Sequence, residues 1–170
     1  MSVAVDERRP DWNRVRAEVA RLLERHGFDS PPVDPVEIAR GEGIDVRFVT
    51  FSGEFENVSG FFDPADNSIT VNKNEWPLRQ TFTIAHELGH AMLHRGWAAS
   101  EDYGVLWRDE ARNDRRGVHE VEANFFAAHL LVPRNMLDKW YDDLSVSELS
   151  RLFAVSVPVI KNRLSSEYGI

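Results

Sequence analysis

The apolar pattern of the chain changes period twice. In DWNRVRAEVARLLERHG (11–27), Val15, Val19, Leu22 and Leu23 fall at helical spacing, with Asp11 as N-cap and Gly27 as a stop. Asp34 and Pro35 read as N-cap and first position of a short helix ending near Gly41. β-Branched and aromatic residues then take over in IDVRFVTF (44–51) and VSGFFD (58–63), followed by the turn-rich DPADNS (63–68) and SITVN (68–72). Residues 58–72 therefore read as a hairpin, with 44–51 as the third strand of a small antiparallel sheet.

The helical period returns at Pro77 and runs to about Arg95, and again from Val118 until Pro133 halts it. Between them, 96–117 has mixed charges and no period, a connection of the length that usually serves function. PRNMLDKWY predicts a short helix or turn. Ser145 with Glu148 fits a capping box for the next helix, and a last helix covers about 156–168. The order α-α-β-β-β-α-loop-α-α-α is that of an α+β fold.

With 170 residues, one domain and a small appendage fit, and two full domains would be cramped. The opening MSVAVDERRPDW carries acids and a proline where a secretion signal needs an apolar run, and no apolar stretch approaches a membrane span. The expected location is cytoplasmic. A net charge of −8 argues against phosphate binding as the main business of the chain. Cysteine is absent, so any metal must be held by His, Asp and Glu.

His86-Glu87-Leu88-Gly89-His90 is an HExxH pattern inside a predicted helix. Residues four apart share a helical face about 6 Å apart, so the two imidazoles can converge on one zinc ion. Glu87 is rotated away from ligation yet can reach a water beside the metal and take its proton. His94 lies about 12 Å from His86 along a straight helix, too far to join the same ion, and reads as a neighbour of the ligands or as packing.

A third ligand is expected from the helix that begins near His119, which offers Glu120 and Glu122. Helical rotation of 200° sets the two on opposite sides. Glu120 shares its face with Ala123, Asn124 and Ala127, small residues that allow close approach, and Asn124 could hold the outer nitrogen of a ligand imidazole. Glu120 is the favoured ligand and Glu122 the alternative. Such a set leaves a position for water, as in catalytic zinc sites. Tyr103, Arg112, His119 and Tyr141 are open candidates for stabilising an oxyanion.

FTIAHELGHAMLH (82–94) with EVEANFFAAHLLVP (120–133) resembles the ImmA/IrrE family of bacterial and phage metallopeptidases. The upstream GFDSPPVDPVEIARGEGIDV, the hairpin SGFFDPADNSITVN and the closing LSVSELSRLFAVSVPVIKNRL extend the likeness over about 12–168. The resemblance implies a compact thermolysin-like fold of the Glu-zincin type, with a metallopeptidase domain over 1–133. A helix-turn-helix-like extension would pack on it over 134–170. It implies one zinc per chain held by His86, His90 and Glu120, with Glu87 as the catalytic carboxylate. It further implies a cognate helix-turn-helix repressor as substrate, in stress or mobile-element control. The rival reading is a non-cleaving antirepressor or toxin–antitoxin component. Direct DNA binding is not expected, since the basic and acidic residues after Pro133 cancel. LLVP stands where LLMP is common in the family, and 96–117 has no clear counterpart there.

Overall fold

The computed structural model describes residues 9–100, 103 and 117–170. Helix α1 (Trp12–Arg25) starts where the Asp11 side chain accepts a hydrogen bond from Arg14 N, at 3.0 Å. It buries Val15, Val19, Leu22 and Leu23. Helix α2 (Pro35–Gly41) is capped by Asp34 in the same way, with Pro35 supplying a preset φ at the first position.

Strands β1 (Asp45–Val49), β2 (Gly60–Asp63) and β3 (Ser68–Asn72) form one sheet in the order β1-β3-β2. The hairpin of β2 and β3 is antiparallel as the turn signal predicts, but β1 pairs with β3 in parallel, so the sheet is mixed rather than antiparallel. The reason lies in burial. Ile69 and Val71 are fully buried, so β3 takes the centre, and the 50–59 connection carries the chain past it to set β2 on the far edge. A strand's own period is the same whichever way its neighbour runs.

Helix α3 (Pro77–Leu93) packs on β2 and β3, and a short helix α4 (Arg95–Ala98) follows. Gly60 on β2 permits this approach: a Cβ there would stand 2.8 Å from Thr83 Cγ2 and 2.6 Å from Thr70 O. Helix α5 (Val118–Leu131) lies against both α3 and α1. Its crossing with α3 is close because Gly89 has no side chain; a Cβ there would meet Phe126 at 3.0–3.3 Å.

The chain ends in α6 (Arg134–Leu137), α7 (Val146–Phe153) and α8 (Val157–Tyr168). Both hydrogen bonds of the expected Ser145–Glu148 capping box are present. Leu149, Phe153, Ile160 and Leu164 belong to the same core as Ile69, Leu88 and Phe126. Among the described residues, no helix is long and apolar enough to cross a membrane.

Candidate metal centre

The α3–α5 crossing brings together three of the residues singled out above. His86 Nε2 and His90 Nε2 are 3.1 Å apart. The Glu120 carboxylate faces both, Oε1 at 2.9 Å from His90 Nε2 and Oε2 at 3.2 Å from His86 Nε2. Glu87 closes the group on the other side, and donor atoms of His86, Glu87 and His90 all lie within 4.8 Å of one another.

This donor set fits a divalent cation. Ligands bonded to one tetrahedral zinc at 2.0–2.1 Å stand about 3.3 Å from each other, close to the three spacings here. Each imidazole also has its outer nitrogen engaged. His86 Nδ1 lies 2.9 Å from Asn124 Oδ1, and His90 Nδ1 lies 3.0 Å from His94 Nδ1. An amide oxygen only accepts, so His86 carries a proton on Nδ1. Such outer partners orient ligand imidazoles.

The electrostatics agree with a cation site. Burial disfavours charge on His86, yet the Glu120 and Glu87 carboxylates outweigh it and hold its pKa above the ordinary value. Burial also works against ionisation of Glu120, but hydrogen bonds from His86 and His90 keep its carboxyl well below the usual range. Burial drives His90 down to about 3, a neutral imidazole. It pushes the Glu87 carboxyl up to about 7, against the pull of His86 and the Tyr103 hydroxyl.

Tyr103, one of the oxyanion candidates, is hydrogen-bonded to the cluster. Its buried hydroxyl donates to Glu87 Oε2 at 2.7 Å and accepts from the Phe62 amide on strand β2. His119 stacks on Trp97 with ring centroids 4.3 Å apart, Tyr141 stacks on Tyr168 at 4.0 Å, and Arg112 lies outside the described residues.

Glu122 is not in the cluster. Its Oε2 lies 2.6 Å from His94 Nε2, and its Oε1 accepts from Asp11 N at 2.7 Å. The 200° separating it from Glu120 does not turn it away from α3: the two carboxylates straddle the helix, meeting successive members of its histidine row. The helical wheel gives the roots of the side chains, not their reach.

The family model for peptidases with an IrrE N-terminal-like domain matches residues 39–165, a span that contains the whole cluster. The chain is 31% identical over 125 residues to the radiation response metalloprotease IrrE of Deinococcus deserti, covering 72% of this chain and 42% of that protein. With the Deinococcus radiodurans protein of the same name it shares 33% identity over 96 residues, 56% of this chain and 27% of the relative. An uncharacterized immunity region protein of Bacillus phage phi105 is 29% identical over 127 residues, 74% of this chain and 72% of its own length. The chain thus spans less than half the length of the two Deinococcus relatives. Among solved structures, a Mycobacterium tuberculosis transcriptional regulator superposes with a TM-score of 0.65 at 19% identity, over 90% of this chain and 46% of the other, a likeness of fold alone.

Proposed function

The chain belongs to the peptidase family of the IrrE N-terminal-like domain and carries a metallopeptidase domain of that kind, and from this premise we propose that it is a zinc-dependent endopeptidase acting on a helix-turn-helix repressor. The single observation that carries the reading is the convergence of His86, His90 and Glu120 on one point beside Glu87. His86 Nε2, His90 Nε2 and a Glu120 oxygen would hold the ion. A zinc ion bound there supplies a Lewis acid for a peptide carbonyl and for water.

The work left to the protein is proton transfer and positioning. Glu87 Oε2 is held by the Tyr103 hydroxyl, which leaves Oε1 to take a proton from the attacking water. The oxygen of that water bonds to the carbonyl carbon, the C–N bond breaks, and the proton held on Glu87 passes to the departing amine. A carboxyl near pH 7 is suited to both halves of this exchange.

A thermolysin-like arrangement with a metallopeptidase domain over 1–133 and a helical extension over 134–170 is part of the proposal. In that extension Arg163 is internal and Arg134 is paired with Glu167 at 3.3 Å, which supports packing rather than phosphate binding. The repressor assignment is tested by incubating the zinc-loaded protein with the product of the adjacent repressor gene. Cleavage that chelator removes, and that Glu87→Gln abolishes while zinc is retained, is the expected result. An intact repressor that nonetheless loses its DNA, with Glu87→Gln equally effective, would mean sequestration without proteolysis.

A further inference from the structure

His94 and Glu122 are buried, lie outside the proposed ligand set, and are joined to it by one continuous line of contacts. Asp11 N donates to Glu122 Oε1 at 2.7 Å; Glu122 Oε2 is 2.6 Å from His94 Nε2; His94 Nδ1 is 3.0 Å from His90 Nδ1. The direction of each proton in that line follows from chemistry. An ionised carboxylate only accepts, so His94 Nε2 carries the hydrogen. A neutral His94 then has only a lone pair on Nδ1. Two nitrogens 3.0 Å apart need one hydrogen between them, and His90 must supply it from Nδ1. With a cation at the site, that leaves His90 Nε2 as the bare nitrogen a ligand needs, directed at Glu120 and His86.

We infer that Glu122 and His94 are positioning residues that fix His90 in the tautomer and orientation a metal ligand requires. The inference rests on the metallopeptidase reading. It also gives α1 a part in the site, because the carboxylate is anchored by the backbone at the start of that helix. His94 is seated against Trp97 and His119, with ring centroids 6.2 and 4.9 Å away, which restricts rotation of its imidazole. His86 needs no such line, since Asn124 alone sets its tautomer.

The unmodified protein provides the first test. With zinc bound, nitrogen-15 NMR of His90 is expected to show a proton on Nδ1 and the metal on Nε2; metal on Nδ1, or an Nδ1 without a proton, would overturn the inference. Variants give the second test, read as zinc affinity by chelator competition. His94→Leu should weaken binding about 10–100-fold. His94→Gln should restore most of it, because its amide can accept from His90 and donate to Glu122. A role in packing alone predicts no such rescue by a polar side chain. If His94→Leu fails to fold, the NMR assignment and His94→Gln still decide. Unmodified protein that binds no zinc would defeat the metallopeptidase reading; unmodified protein that binds zinc no better than a folded His94→Leu would defeat only this inference.

Discussion

Helix α5 carries two buried polar clusters, one at each end, and they solve the same electrostatic problem in opposite ways. Near its start, Glu120 faces His86 and His90, with Glu87 close by. The donor atoms converge, and in the proposed reading a cation from outside would complete the set. Near its end, His129 Nε2 accepts from Arg163 Nη1 at 2.9 Å, and the same guanidinium bonds Glu167 at 2.7 Å and the Val132 carbonyl at 3.0 Å. There the chain supplies its own cation. A histidine beside a buried guanidinium has nothing left to ligate, so the second cluster is a rivet between α5 and α8. What distinguishes a reactive site from a structural one is whether the protein closes its own charge balance.

The difference is broken most sharply by removing one histidine from each cluster. His90→Ala should lose stoichiometric zinc and all hydrolysis, while His129→Ala should keep both, as read by metal analysis and turnover. Next in size is Arg163→Met. It leaves the buried Val132 carbonyl and His129 Nε2 without their donor and should cost about 3 kcal/mol in urea unfolding, with zinc affinity of the folded protein unchanged. Gly89→Ala tests the crossing that makes the first cluster. Its methyl must push Phe126 away, which should cost about 1–3 kcal/mol and weaken zinc binding as well.

The smallest effect is a pH dependence at the second cluster. Burial, helped by Arg163 and Arg16, holds His129 down to about 3 in the folded protein, against about 6.5 in the unfolded chain. The unfolded state therefore takes up this proton first as pH falls. The stability due to neutral His129 is whole above about 6.5 and is lost progressively on the way down to about 3. The slope from one such group is at most about 1.4 kcal/mol per pH unit. His129→Gln should flatten that part of the dependence between pH 7 and 5; an unchanged profile would show that other groups carry it.

The first cluster was largely legible in the sequence because its logic is local. Two histidines four apart share a helical face whatever the rest of the fold does, and small residues around Asn124 announce a close approach. The capping residues Asp11, Asp34 and Ser145 are local in the same sense, and their hydrogen bonds are present. Strand direction was not legible: β1 reads the same beside a parallel or an antiparallel neighbour, and only the burial of β3 on both faces decides. The hydrogen bond between His94 and Glu122 depends on how α3 and α5 cross. Residue spacing places His94 beside the ligands without naming its partner, and it sets Glu122 facing away. Tyr103 sits in a stretch without period, so nothing but the fold could attach it to Glu87. Arg163 looks like one more basic residue on an amphipathic helix until α5 is packed against α8.

A crystal structure of the zinc-loaded protein with anomalous data at the zinc edge tests the proposed coordination set directly. One ion is expected per chain, bonded to His86 Nε2, His90 Nε2 and a Glu120 oxygen at about 2.0–2.2 Å, with Glu87 free of the metal. An ion bound through Glu122, or no ion between α3 and α5 in protein that hydrolyses its substrate, would contradict it.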